Sequence, residues 1–242
     1  NANLYENWTD VSGCMVADPR IIRNPEPITT ITYKELRELS YMGASVLHED
    51  AIFPVRAAGI PVNIKNTNQP EDRGTMIVSE SAEHCDHIIT GIAGKKGMSV
   101  INIEKDKMNS EIGFGKNVLR ALEKSNVSFE HMPSGVDTMS VVIATEALAG
   151  KETAIIDEIK SRVHPDQIYI ESNLALIAVV GRGMKSARGT AAILFSALAD
   201  ARVNIKMIDQ GSSELNIIVG VEEEDFEVAI KAIYKRFIGI NQ

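Results

Sequence analysis

The fold is decided by the stretch 108–143, MNSEIGFGKNVLRALEKSNVSFEHMPSGVDTMSVVI, which aligns without a gap on the stretch 184–219, MKSARGTAAILFSALADARVNIKMIDQGSSELNIIV. The offset between them is 184 − 108 = 76 residues. Apolar residues and glycines coincide along both stretches, for example Gly113 with Gly189. A repeat of this length predicts two copies of one structural module.

Each copy has the pattern of strand, loop, helix, strand, turn, strand and helix, which is the order βαββα. Alternating apolar residues predict the strands, and apolar stripes of helical period predict the helices. The predicted elements are helices at 113–125, 151–163, 189–201 and 223–237, and hairpin strands at 127–132, 138–143, 203–208 and 214–220. The repeat therefore predicts two small modules, each an antiparallel sheet with helices on one face.

The residues before the repeat have a different pattern, typical of α/β structure. A helix is predicted from Tyr33 to Leu39, and a second one over 44–58 is interrupted by Pro54. Strands are predicted at 61–65 and 75–78. Charged and small residues without periodicity then indicate a boundary at 79–86.

Composition narrows the function classes. The 242 residues include 25 Lys and Arg against 33 Asp and Glu, a formal charge of −8, which disfavours nucleic acid and anionic membranes as partners. No apolar run approaches the ~20 residues that span a bilayer. Two cysteines, Cys14 and Cys85, are too few for a disulfide framework, so we expect a cytoplasmic protein.

Several segments together resemble the C-terminal part of aspartokinases. They are WTDVSGCMVADPR at 8–20, ITYKELRELSYMGASVLHEDAIFPV at 31–55, IPVNIKNTNQPEDRGTMI at 60–77, and the paired repeat. The resemblance implies an α/β fragment of an amino-acid-kinase domain followed by two α+β ferredoxin-like ACT modules. The implied domains are the kinase part at 1–80, a linker with a candidate shared strand of the second ACT module at 81–95, the first ACT module at 96–166 and the second at 167–242.

The resemblance also implies an activity. Aspartokinases phosphorylate the β-carboxylate of L-aspartate with ATP and Mg²⁺, the first step towards lysine, threonine and methionine, and their ACT modules imply allosteric feedback by an amino acid. The family's Lys- and Gly-rich segment, which holds the phosphates and aspartate, is not found in these residues. We therefore assign no catalytic residue, expect the chain alone to be inactive, and expect it to begin partway through a longer product.

Candidate nucleotide contacts lie in the first of these segments. A loop interrupted by Gly13 can expose polar groups, and a guanidinium can bind phosphate bidentately. The bland alternative is an Asp-Pro-Arg turn in which Asp18 caps the following backbone. The resemblance favours nucleotide binding, because it matches Thr9, Asp10 and Arg20 to residues that contact ATP, and Met15 to a position where some relatives carry an aromatic.

A second nucleotide segment departs from the family pattern. Related enzymes often have Gly-Ala-Lys-Val where this chain has Gly43, Ala44, Ser45 and Val46. Ser45 and Val46 therefore complete the candidate ATP set, but a hydroxyl replaces the lysine ammonium at Ser45.

A loop that opens a helix presents free N–H groups and a positive dipole end, which suits an amino acid's carboxylate. The loop 108–113 has this position, and acidic residues in 128–137 could take the ammonium. The resemblance places the feedback effector here, between the first ACT modules of two subunits. The candidate set is Met108, Ser110, Glu111, Gly113, Phe114, Gly115, Ser128, Phe129, Glu130, Ser134, Gly135 and Asp137.

The charges of this set favour lysine as the effector. Glu111, Glu130 and Asp137 offer more anionic groups than one α-ammonium needs. Each also has a structural alternative: Glu111 as a residue that favours the helix dipole, and the other two as a solvated strand edge and turn. The second copy has Ala187 at the Glu111 position, so we expect it to be empty.

Two other functions stay open. A non-catalytic ACT-domain sensor or regulatory subunit would explain the repeat but not residues 8–78, and another amino-acid kinase, for example one acting on glutamate, is disfavoured by the paired ACT copies. We expect a homodimer through the ACT modules. The group His84, Cys85, Asp86 and His87 has no second ligand pair, so we assign it to the linker and expect no metal site.

Overall fold

The computed structural model describes residues 2–44, 54–79 and 87–239. The N-terminal part contains a four-stranded sheet of β1 (Tyr5–Thr9), β2 (Thr30–Thr32), β3 (Val62–Asn66) and β4 (Thr75–Val78) in the order β1-β3-β4-β2. β1 is parallel to β3, β2 is parallel to β4, and the two central strands are antiparallel. β3 and β4 lie where the alternating pattern predicted strands.

Helix α1 (Tyr33–Tyr41) follows β2 and begins with a capping box. The hydroxyl of Thr32 accepts from the backbone N–H of Glu35, whose carboxylate accepts from the backbone N–H of Thr32 at 2.9 Å. The helix ends two residues later than its pattern predicted. Residues 54–57 of the second predicted helix are helical, and most of the rest lies outside the described residues.

The C-terminal part contains one five-stranded antiparallel sheet in the order β6-β5-β7-β9-β8. Its strands are β5 (Gly91–Glu104), β6 (Thr138–Ala144), β7 (Gln167–Val180), β8 (Met207–Asp209) and β9 (Asn216–Glu222). The repeat had predicted a separate sheet for each module. The sheets join because the long strands β5 and β7 pair with each other on both sides of an irregularity between Lys95 and Val100.

The helices repeat as the sequence predicted. They are α2 (Phe114–Lys124), the short α3 (Thr145–Leu148), α4 (Glu152–Val163), α5 (Thr190–Asp200) and α6 (Phe226–Phe237). α2 packs on α4 in the first module, and α5 packs on α6 in the second. The N-cap residues Gly113 and Gly189 both have φ of +86°, a left-handed conformation that glycine adopts at little cost, so the two copies enter their first helices alike.

One predicted strand was wrong in extent. Residues 127–132 contact β6 through an isolated bridge at His131, and a second isolated bridge follows at Ser134, so no continuous ladder forms. Pro133 lies between these bridges and has no N–H to donate, which limits regular pairing. In the second copy the matching strand is reduced to β8.

Two hydrophobic cores are present among the described residues. One fills the first module between its sheet and α2 and α4, with Ile101 and Ile155 fully buried. The other is continuous from the N-terminal part into the second module and includes Leu36 of α1, Ile92 of β5 and Ile230 of α6. The N-terminal part and the second module therefore share one core. Within the described ranges, no helix has the length and apolar character that a membrane crossing requires.

A buried carboxylate joins the two parts that share this core. Glu35 of α1 has no exposed surface. It accepts from the Thr90 hydroxyl at 2.6 Å, and from the backbone N–H and the guanidinium of Arg182 at 2.8 and 2.7 Å. Burial alone would raise the pKa of Glu35, but these bonds and those from Thr32 outweigh it, so the pKa is lowered.

Replacing Glu35 should destabilise the fold strongly. Glu35→Ala leaves the guanidinium of Arg182, whose side chain is only 19% exposed, without its counter-ion, and we expect the free energy of unfolding to fall by about 3 kcal/mol or more. Urea denaturation measures this loss. Glu227→Ala removes an exposed carboxylate on α6 and should change stability by less than about 0.5 kcal/mol. Equal effects of the two substitutions would contradict the assignment.

The same carboxylate should confer a pH dependence. Because folding lowers the pKa of Glu35, its contribution is complete above the ordinary value of 4.5 and is lost as the pH falls through the lower, folded value. The stability difference between the wild-type chain and Glu35→Gln should therefore shrink below about pH 4.5. Urea denaturation between pH 3 and 7 checks it, and a pH-independent difference would contradict it.

Candidate functional site

A cavity of about 860 Å³ lies where the N-terminal part meets the second module. Its walls are largely apolar and include Leu36 and Leu39 of α1 and Phe226 and Ile230 of α6. A loop from the N-terminal part contributes charged groups, among them Arg20. A mostly apolar pocket with a few charged groups at its rim is typical of small-molecule sites.

The candidate nucleotide residues are divided by this cavity. Met15 and Arg20 line it. Thr9 ends β1 and Asp10 follows, and their side chains contact each other at 3.1 Å outside the cavity lining. Ser45 and Val46 lie outside the described residues.

Arg20 and Asp18 form a tight local pair. Nε of Arg20 lies 3.0 Å from both Asp18 oxygens, and Nη2 lies 2.6 Å from Oδ2. The Asp18 carboxylate also accepts from the backbone N–H of Arg20 at 2.8 Å, as the turn alternative expected. The hydrogen bond from Arg20 is the main reason that the pKa of Asp18 is lowered. The Arg20 side chain is 85% exposed, so solvent and solutes can reach it.

Cys14 lines the cavity, and His87 belongs to the group that the sequence assigned to the linker. Burial raises the pKa of Cys14 to about 12, so its thiol stays protonated at neutral pH. His87 contacts Glu26 through Nε2 at 3.0 Å, whereas 84–86 lie outside the described residues. In the ranges that the structure describes, no group of three or more His, Cys, Asp or Glu could hold a metal ion.

The candidate effector residues form two groups along one edge of the sheet. In the first, the loop that opens α2 meets the turn before β6: Asn109 N–H donates to the Val136 carbonyl at 3.1 Å, and Lys107 N–H donates to the Asp137 carboxylate at 2.8 Å. Met108 and Phe114 are buried in the core of the first module. Ser110, Glu111, Gly113, Gly115, Ser134 and Gly135 belong to the same group.

The second group, Ser128, Phe129 and Glu130, lies at the other end of this edge. Glu130 N–H donates to the Val142 carbonyl at 2.8 Å, whereas Ser134 pairs with Met139 three residues away along β6. Ser128 and Phe129 border an open groove beside α2. Within one chain, the structure therefore does not bring the two groups into a single pocket.

Glu130 has partners from two other parts of the chain. Its carboxylate lies 2.7 Å from Nζ of Lys95, and it accepts from the hydroxyl of Tyr41 at the end of α1. Burial opposes the charge of Glu130, but both partners favour it, so its pKa is lowered. Burial and the contact with Glu130 raise the pKa of Tyr41 to about 12. Glu130 therefore connects the first module to α1.

The other two acidic candidates also have partners. Glu111 is paired with Lys105, whose ammonium also donates to the Val163 carbonyl at 2.6 Å. Asp137 caps the Lys107 backbone. Glu111, Glu130 and Asp137 therefore all have partners within the chain.

The sequence did not predict the residues that connect the N-terminal part to the second module. Only Glu35 carried a local signal, since Thr32 and Glu35 have the spacing of a capping box. Its partners Thr90 and Arg182 lie 55 and 147 residues away. No short-range pattern predicts contacts at such separations.

Comparison with known proteins gives the family. A model of the amino acid kinase family matches residues 1–66, and a model of the ACT domain matches residues 177–237. Aspartokinase 3 of Bacillus subtilis is 44% identical over 237 residues, which are 98% of this chain and 52% of that protein. The bifunctional aspartokinase/homoserine dehydrogenase of Haemophilus influenzae is 32% identical over 243 residues, 97% of this chain and 29% of that protein.

Solved structures agree with these relatives. The aspartate kinase of Clostridium acetobutylicum is 59% identical with a TM-score of 0.93, over 98% of this chain and 55% of that one. Aspartokinase III of Escherichia coli, at 24% identity and a TM-score of 0.80, shares the fold over 97% of this chain and 52% of its own. This chain thus spans about half the length of Aspartokinase 3 of Bacillus subtilis. It belongs to the aspartokinases, with an α/β segment of the amino acid kinase family followed by ACT modules.

Proposed function

We propose that the chain forms part of an enzyme that transfers the γ-phosphoryl group of ATP to the β-carboxylate of L-aspartate, the first step towards lysine, threonine and methionine. We further propose that an amino acid, with lysine as the leading candidate, regulates it through the ACT modules. The observation that carries the proposal is the shared core: a kinase-family segment and an ACT module pack as one body, so a change in one can alter the other.

The chain would supply one side of the nucleotide site. Phosphoryl transfer depends on positioned phosphates more than on covalent chemistry. Met15 offers an apolar wall, and Arg20 offers an exposed guanidinium that can exchange Asp18 for phosphate oxygens. Thr9, Asp10, Ser45 and Val46 complete the proposed set. We assign no Mg²⁺ ligand to the described residues, and we expect no kinase activity from this chain alone.

The effector site would form between two copies. The edge beyond β6 carries one candidate group at each end, so antiparallel association of two such edges about a twofold axis brings Ser128 of one copy towards the 134–137 turn of its partner. Two apolar side chains beside this edge support the association, because Ile112 is fully exposed and Val136 is 64% exposed. We therefore propose a homodimer through the first modules.

The domain boundaries and location follow the same proposal. We propose the kinase part at 1–80, a linker at 81–95 and the ACT modules at 96–166 and 167–242. Residues 91–95 pair with 176–180 of β7, which supports a strand shared with the second module. The buried, free Cys14 supports a cytoplasmic location.

Isothermal titration of the 242-residue chain with L-lysine, L-threonine and L-methionine tests the sensor. We expect L-lysine to bind and to raise the thermal midpoint. Ser128→Ala should weaken this binding about fivefold, the effect of one lost hydrogen bond. Asn204→Ala changes the matching position of the second copy and should leave it unchanged. If none of the three amino acids gives binding heat or a thermal shift, the proposal is contradicted.

Nucleotide binding has its own reporter. Trp8, the single tryptophan, directly precedes Thr9, so ADP binding should change its fluorescence. Arg20→Ala should weaken ADP binding about tenfold, because charge-assisted bonds to phosphate are lost. Arg188→Ala removes an exposed arginine from the second module and serves as the control. Equal affinities of the two variants would argue against a role for Arg20.

A further inference from the structure

Three separated parts of the chain meet at Glu130. Its carboxylate lies 2.7 Å from Nζ of Lys95, which is located beside the irregularity in β5. The same ammonium lies 4.4 Å from the centre of the Tyr41 ring. Tyr41 closes the triangle with its hydroxyl bond to Glu130. Lys95 thus binds the first module and α1 with one charged group.

This cluster is partly withdrawn from water. The side chains of Lys95 and Glu130 are 23% and 15% exposed, so their attraction is less screened than that of a surface pair. The Tyr41 ring adds a cation–π contact, which strengthens when the cation is desolvated. A Glu130 carboxylate in this environment needs a cation, and the chain provides its own.

The chemical nature of the Lys95 ammonium indicates its role. The Lys95 side chain ends in an ammonium on a flexible aliphatic stem, as does the side chain of free lysine. Replacing one ammonium by another leaves Glu130 paired and buries no additional charge. Glu130 is also one of the proposed effector contacts. Its ammonium subsite is therefore filled by the chain itself.

We propose that Lys95 is an internal occupant of the subsite on Glu130 that takes an ammonium group of the amino-acid effector. This inference rests on the proposed effector site. Effector binding displaces Lys95 from Glu130 and thereby removes its contact with Tyr41. Tyr41 leads directly into Gly43 and Ala44, which line the cavity between the N-terminal part and the second module. Displacement of Lys95 therefore changes the contacts of Tyr41, at the end of α1 that borders the proposed nucleotide site.

The Lys105–Glu111 pair does not offer the same exchange. Lys105 donates to the Val163 carbonyl at the end of α4, so its contacts stay within the first module. Lys95 is different because its partners belong to different parts of the chain. Displacement of Lys95 from Glu130 therefore changes a contact between the first module and α1.

Removing the Lys95 ammonium, which would compete with the effector for Glu130, tests the proposal. In Lys95→Met the stem is retained and the ammonium is lost, so we expect L-lysine to bind about tenfold more tightly than to the wild-type chain in isothermal titration. Lys96→Met removes the same charge from the next, exposed residue and should keep the wild-type affinity within about twofold. A residue with a merely structural role would not give tighter binding when it is removed.

The outcomes separate the two proposals. If the wild-type chain and Lys96→Met bind L-lysine and Lys95→Met binds it no more tightly, Lys95 is not an occupant, although the effector site stands. If Lys95→Met alone binds, the occupant is confirmed as a strong one. If no variant binds L-lysine, L-threonine or L-methionine, both proposals fail.

A measurement on the wild-type chain covers the case in which Lys95→Met does not fold. With ¹⁵N-labelled lysine side chains, NMR should detect the ammonium of Lys95, because its partners and low exposure slow its exchange with water. Saturation with unlabelled L-lysine should remove this signal. A Lys95 signal unchanged at saturation would overturn the proposal.

Discussion

The structure depends on a carboxylate withdrawn from water at the junction of its two parts. Glu35 caps its own helix and accepts from Thr90 and Arg182, so one side chain fixes the start of α1, the approach to β5 and the turn after β7. An unpaired carboxylate here would cost several kcal/mol. Each of these elements is therefore held where the others require it. The shared core of the N-terminal part and the second module forms around this point.

Helix α1 carries two more polar contacts at three-residue spacing. Glu38 accepts from the Asn216 side chain of β9 at 2.7 Å, and Tyr41 meets Lys95 and Glu130. Residues three apart lie near one another on a helix surface, so these contacts follow one side of α1. The contacts of Glu35 and Glu38 reach the second module, and the contact of Tyr41 with Glu130 reaches the first module. One helix of the kinase part is thereby in contact with both ACT modules.

Much of the fold could be predicted because it is local. The apolar stripe of α2 predicted 113–125, and the helix covers Phe114–Lys124. The joining of two sheets through β5 and β7 could not be predicted, since alternation identifies the faces of a strand but not its neighbours. The predicted extent of 127–132 was wrong, because Pro133 directly follows this segment and has no N–H to continue a regular ladder with β6.

The candidate sites were less predictable than the fold. The resemblance indicated which residues to consider, and the structure shows what each one contacts. Arg20 bonds to Asp18, and Glu130 bonds to Lys95 and Tyr41. From charge alone, Glu111, Glu130 and Asp137 were expected to be able to take an ammonium group. Lys95 and Lys107 lie 35 and 30 residues from Glu130 and Asp137, so only the folded chain reveals these partners.

Native-state hydrogen exchange tests most directly whether α1 and the second module form one cooperative unit. We expect the amides of Leu36 and Leu39 in α1 to open with the same free energy and denaturant dependence as those of Ile177 in β7 and Val219 in β9. Exchange of α1 through a separate opening of lower free energy, while β7 and β9 stay protected, would contradict it.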